Sequence, residues 1–101
     1  QAIPQRLHHF NVKTKVSFIE KASSKNRTTL EISALDHSGL LATFAQVFQA
    51  CKIHIHAAKI TTFGERAEDV FTVSNDENKA LTPAQQDELA KKLCNDASEQ
   101  Q

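Results

Sequence analysis

Apolar residues in this chain keep two different periods, and the order in which those periods alternate leaves few folds open. Val12, Thr14, Val16 and Phe18 alternate with Lys13, Lys15 and Ser17. That is the period of two expected of a half-buried strand over residues 12–19, here with a basic outer face. The polar run 21–27, KASSKNR, turns the chain. Leu30, Ile32 and Ala34 then alternate with Thr29, Glu31 and Ser33 as a second half-buried strand over 30–35. So short a connection makes the two strands antiparallel neighbours. After Gly39 the period lengthens. Leu40, Leu41, Phe44, Val47, Phe48 and Cys51 fall on one helical stripe that ends near Lys52, with no glycine to cap it.

Residues 53–62 return to strand spacing, first on Ile53, Ile55 and Ala57, then on Ala58 and Ile60. The slip in parity between Ala57 and Ala58 predicts a β-bulge or a change of buried face. Phe63-Gly64-Glu65 is a tight turn, residues 67–74 form a fourth strand with Val70, Phe71 and Val73, and 75–79 is a polar loop. Thr82-Pro83-Ala84-Gln85 opens a second helix. Threonine sits at the N-cap, proline at the first helical position, and glutamine three residues on completes a capping box. Its apolar stripe is Leu89, Ala90, Leu93 and Cys94.

The order ββαββα places this α+β chain in a two-layer, ferredoxin-like arrangement, with two helices on one face of a four-stranded antiparallel sheet. The order is permuted: nothing strand-like follows the second helix, and the strand over 12–19 is expected to fill that slot beside the strand over 30–35. The first helix is a crossover between parallel strands, which is right-handed in such folds. Residues 1–10 read as a linker with His8 and His9 in solvent, 11–95 as one domain, and 96–101 as a frayed, disordered tail.

A chain of 101 residues supports a single modest core. No apolar run reaches the roughly 20 residues of a membrane span, and the first ten residues lack the apolar centre of a signal peptide. Twelve basic residues cancel twelve acidic ones, so no net field recruits nucleic acid. Most of the six phenylalanines fit helix stripes or inward strand positions rather than a stacking platform. The charge is uneven, basic over 1–35 and acidic over 65–101, which solvated faces explain. Cys51 and Cys94 are too few for a disulfide framework and match no zinc spacing. They read as reduced residues of the core in a cytoplasmic protein. A chain that opens with Gln1 and lacks methionine reads as a piece cut from something longer.

Two places carry chemistry. The first is Asp36-His37-Ser38-Gly39-Leu40-Leu41, where strand becomes helix. Free N–H groups of Gly39, Leu40 and Leu41 can hold a carboxylate at the positive end of the helix, and Asp36 can pair with an ammonium group. Together they describe a free amino acid. The alternative is structural: Asp36 or Ser38 caps the helix and Gly39 eases the turn. The second place is His54 and His56, two apart on a strand and so on one face, opposite Ile53 and Ile55. A metal there lacks a third ligand at a telling spacing, and the alternatives are plain exposure or contact with a partner domain near the loop before the first helix. No catalytic triad, Gly-rich phosphate loop or activated thiol is present. A phosphate-transfer enzyme of ferredoxin-like type such as an acylphosphatase needs an arginine in the first strand–helix loop, and the loop holds Asp36, His37 and Ser38 instead.

The segment Leu35-Asp36-His37-Ser38-Gly39-Leu40-Leu41 resembles the ACT domain family, whose signature is Asp, usually Pro two residues on, then Gly-Leu. The longer run AKITTFGERAEDVF and the leader RLHHFNVKTKVSF are similar to the ACT domains that end bacterial enzymes modifying the nitrogen-regulatory PII protein. The likeness covers residues 11–95. It implies a regulatory module that senses free glutamine and acts on catalytic domains upstream, a nucleotidyltransferase and a metal-dependent hydrolase. This stretch would then be catalytically inert and carry no cofactor, magnesium belonging to those catalytic domains.

The implied partners are glutamine, a second ACT domain in the same chain or in a second copy, and PII through the whole protein, with no nucleic acid and no membrane. The implied binding loop is Asp36, His37, Ser38, Gly39, Leu40 and Leu41, faced by Ile53, His54, Ile55 and His56. Ser38 stands where proline is usual, which leaves that loop less rigid. The permuted strand order bears on which edge meets a partner. A module that joins domains through a sheet edge without any ligand is the reading of a different class.

Overall fold

The computed structural model describes residues 14–99, so the linker over 1–10 and Val12 lie outside the described residues. The chain runs β1 (Lys15–Phe18), a 3-10 turn (Glu20–Ala22), β2 (Thr28–Leu35), α1 (Leu40–Ala50), β3 (His54–Lys59), β4 (Thr62–Phe63), β5 (Arg66–Ser74) and α2 (Pro83–Glu99). The sheet order is β1-β2-β5-β3 with every pair antiparallel, and β4 adds a short ladder to β5. The permuted ferredoxin-like layout is present, and the strand before the first hairpin lies beside β2, the slot anticipated for it. The sheet has five strands rather than four, because Gly64 and Glu65 close a two-residue hairpin that pairs Phe63 with Arg66. Gly64 stands at φ 58° as the first of the two turn residues, a conformation glycine takes without strain.

One core lies between the sheet and the helices. Leu30, Ile32, Ala34, Phe71 and Val73 project from β2 and β5 onto Leu40, Phe44, Val47 and Phe48 of α1 and onto Leu89 and Leu93 of α2. The ring of Phe71 meets those of Phe44 and Phe48 edge-on, at centroid distances of 6.2 and 5.1 Å. Such pairs add about 0.5–1.5 kcal/mol beyond simple burial. Val16 and Phe18 of β1 and Cys51 pack on the margin. Cys51 and Cys94 are free thiols, and burial pushes the pKa of each up.

Several boundaries correct the sequence reading. Leu41 leaves the apolar stripe and is 47% exposed, because Leu40, Phe44, Val47 and Phe48 already complete the inward face of α1. The missing C-terminal glycine is replaced by Lys52 itself, at φ 61°. Its N–H donates to Gln49 O at 3.0 Å and the Ile53 N–H donates to Phe48 O at 2.9 Å, the two bonds of a Schellman ending. The bulge in β3 exists, but at His56, between the paired residues Ile55 and Ala57. All six residues of β3 are exposed, so Ile55 and Ala57 do not press on the helices. Among the described residues the strand lies at the edge of the sheet and has a neighbour on one side only.

The second helix begins as its sequence requires. The Gln85 N–H donates to Thr82 Oγ1 at 3.1 Å, and the Thr82 N–H donates to Gln85 Oε1 at 2.9 Å. Both halves of the capping box are made. The helix continues past Asn95, where the domain was expected to end, through Glu99.

Candidate ligand cleft at the start of the first helix

Between β2 and α1 the chain must turn sharply, and Gly39 makes the turn. It is the N-cap residue at φ 87°, and no side chain caps the helix. The capping role open to Asp36 and Ser38 is therefore not taken. The Leu40 N–H turns back to His37 O at 3.2 Å. Those of Gly39, Leu41 and Ala42 have no protein partner among the described residues. Three donors at the positive end of α1 are thus open, one of them (Ala42) beyond the anticipated set and one anticipated donor (Leu40) already engaged.

These donors border a cleft of about 180 Å³. Asp36, His37, Gly39 and Leu40 line it from the loop and helix; Ala67 and Asp69 line it from β5. Leu41 and Ile60, each 47% exposed, form an apolar rim. Ser38 is exposed, and its carbonyl oxygen accepts a hydrogen bond from His37 Nδ1 at 2.9 Å. A carbonyl only accepts, so Nδ1 carries the proton. When the ring carries that single proton, Nε2 is an acceptor, and that atom is buried with no partner among the described residues.

Asp69 is the residue that the sequence reading passed over. It is 1% exposed, between Ala67 and Phe71 on the inward face of β5. Its Oδ1 accepts the Thr61 N–H at 3.2 Å, standing in for a ladder partner in the gap between β3 and β4. Its Oδ2 is buried and has no hydrogen-bond partner among the described residues. Burial pushes its carboxyl pKa up. The Thr61 N–H opposes that shift, and the charge of Asp36 adds to it. The signal was present: Ala67, Phe71 and Val73 keep the period of two, and Asp69 is the acid in that register.

The strand half of the anticipated site stands apart. Ile53, His54 and Ile55 line a groove of about 300 Å³ against Phe48 and Gln49 of α1. His54 and His56 share a third depression, of about 250 Å³, with Ser74 and Asp76. His54 Nε2 lies 2.9 Å from Asp76 Oδ1, and this hydrogen bond lowers the Asp76 pKa. His56 Nε2 is 2.8 Å from Ser74 Oγ. Among the described residues no three His, Cys, Asp or Glu side chains gather as a metal site. No helix there is long and apolar enough to cross a membrane.

The family model described as "ACR9-like, ACT-like domain" matches residues 16–100. A bifunctional uridylyltransferase/uridylyl-removing enzyme of Vibrio campbellii is 49% identical over 95% of this chain. The enzyme so named in Vibrio cholerae is 45% identical over 96%, and that of Pseudoalteromonas translucida 48% over 88%. The chain spans only about a tenth of the length of these relatives, 11% of the first two and 10% of the third. No solved structure gives a significant match. The permuted two-layer fold, the uncapped loop at Asp36–Leu41 and the family match agree: this chain belongs to the ACT-like domain family.

Proposed function

We propose that the chain is a regulatory domain of a cytoplasmic uridylyltransferase/uridylyl-removing enzyme, that it senses free glutamine, and that through catalytic domains elsewhere in that protein it controls modification of PII in nitrogen assimilation. The observation that carries this reading is the uncapped start of α1, where open N–H donors and acidic side chains border a cleft of about 180 Å³. Donors for a carboxylate beside acceptors for an ammonium group suit a zwitterion. Catalysis is assigned elsewhere in the protein. The magnesium that such catalysis would use belongs, in this reading, to those same catalytic domains.

The signal requires a second domain. β3 lies at the sheet edge with all six residues exposed, and Leu41, Ile55, Ile60 and Phe63 are exposed apolar side chains. A bare edge flanked by apolar surface favours pairing with another ACT domain, in the same chain or in a second copy. Glutamine would shift the populations of paired arrangements by preferring one of them. Of the strand half of the anticipated site, His54, Ile55 and His56 would then face the partner rather than their own loop, while Ile53 is buried in the core.

Calorimetry of glutamine against a protein carrying both ACT domains tests the reading. Heat that saturates at millimolar ligand is expected, and none with the fold intact overturns it. The same exposed edge favours a second reading, a ligand-free pairing module. In that case Asp36→Ala leaves regulation intact while Ala57→Pro in β3 abolishes it.

A further inference from the structure

Asp69 has a cost without an evident return inside the chain. A carboxylate at 1% exposure, with one oxygen lacking any partner, destabilises the fold that holds it. Its position is specific. It lies on the cleft wall facing the start of α1, where the backbone donors are open and no side chain caps them. His37 lines the same cleft with a second buried acceptor, Nε2, left unpaired. The free groups therefore fall into two sets: N–H donors at the helix end, and two acceptors at Asp69 and His37. Asp36, also on the cleft, is a second acid and is exposed, and among the described residues no Lys or Arg side chain lines the cleft beside Asp69.

We infer that Asp69, assisted by His37 Nε2, is the acceptor for the ammonium group of a bound free amino acid, and that it makes the cleft selective for amines over their hydroxyl counterparts. The inference rests on the amino-acid-binding reading above and assigns within it a residue on β5. Asp36, exposed to water, is left with a lesser part, because a desolvated carboxylate binds a cation more strongly than a hydrated one. An ammonium group supplies the donors that both orphan acceptors lack. A ligand with a hydroxyl in that place brings a single donor and no charge, and leaves Asp69 uncompensated.

The test is an NMR titration, to tens of millimolar ligand, of an isotope-labelled protein that carries both ACT domains. The probes are glutamine and its 2-hydroxy analogue, in which a hydroxyl replaces the amine. Expected are shifts of the Gly39, Leu41 and Ala42 amides with either ligand, movement of the Asp69 carboxyl carbon with glutamine alone, and about tenfold or greater preference for glutamine. In Asp69→Asn, close in shape to the native side chain, that preference collapses. Should the variant fail to fold, the native chain's carboxyl signal and its preference between the two probes still decide. Equal binding of the two probes, with a silent Asp69 carboxyl, overturns the assignment and leaves an amino-acid site standing. If neither probe moves the cleft amides, the amino-acid reading itself falls, and the role of Asp69 falls with it.

Discussion

Replacing Asp69 by asparagine should make the unliganded chain more stable at neutral pH, an unusual outcome for a residue 1% exposed. The carboxylate's Oδ1 holds the Thr61 N–H at 3.2 Å, and an asparagine Oδ1 keeps that bond. What changes is Oδ2, which is buried without a partner, and the charge. An unsatisfied buried group costs about 1–3 kcal/mol, and more when charged, so exchanging a charged group for a neutral one should recover about 1 kcal/mol. For a domain of this size that is a rise in Tm of roughly 4–8 °C.

The pH dependence gives the sharper form of this prediction. Burial holds the folded carboxyl pKa above its unfolded value, so the folded state binds the proton more tightly. The penalty is therefore full above the folded pKa. It fades as pH falls through that value, and it is absent below the unfolded pKa of about 3.9. Melting curves of the native chain and of Asp69→Asn across this range should show the variant's advantage at neutral pH shrinking to nothing in acid. The native chain would then be the more acid-tolerant of the two relative to its own neutral stability. An Asp69→Asn chain that melts lower than the native one at neutral pH refutes the reasoning, since Oδ2 would then be usefully paired.

Three other outcomes follow from the same structure. Lys52→Gly should raise Tm by a few degrees: the left-handed conformation at φ 61° costs lysine roughly 1 kcal/mol, partly offset by the freedom glycine gains when unfolded. A lower Tm would place the Schellman ending elsewhere. Phe48→Ala empties the space against Phe71 and should cost about 3–5 kcal/mol, a large part of a small domain's stability, read as a lower urea midpoint. His54→Ala removes the hydrogen bond that lowers the Asp76 pKa, so the Asp76 carboxyl, followed by carbon NMR, should titrate at higher pH; an unmoved midpoint would show that the pair does not form in solution.

The chain's own periodicity wrote most of the fold. Alternation at Leu30, Ile32 and Ala34, helical spacing at Leu40, Phe44, Val47 and Phe48, and the capping box at Thr82–Gln85 are local patterns, and local backbone geometry is enough to realise them. The loop half of the site was legible for the same reason, since Asp36 to Leu41 are contiguous and a helix start places them together. Only the assembled sheet decided the rest. Ile55 looks like a core residue by alternation, yet β3 is an edge with no cover, because which strand lies outermost depends on pairings across the whole chain. Lys52 takes a left-handed turn that glycine would favour, held by Phe48 and Ile53 bonding around it. Asp69 becomes a buried acid beside the cleft only when β5 packs under α1 and the ladder opens between β3 and β4. Alternation along β5 marks Asp69 as inward-facing, but its unmet hydrogen bond and its place on a cleft wall are set by three-dimensional neighbours that no spacing along the chain encodes.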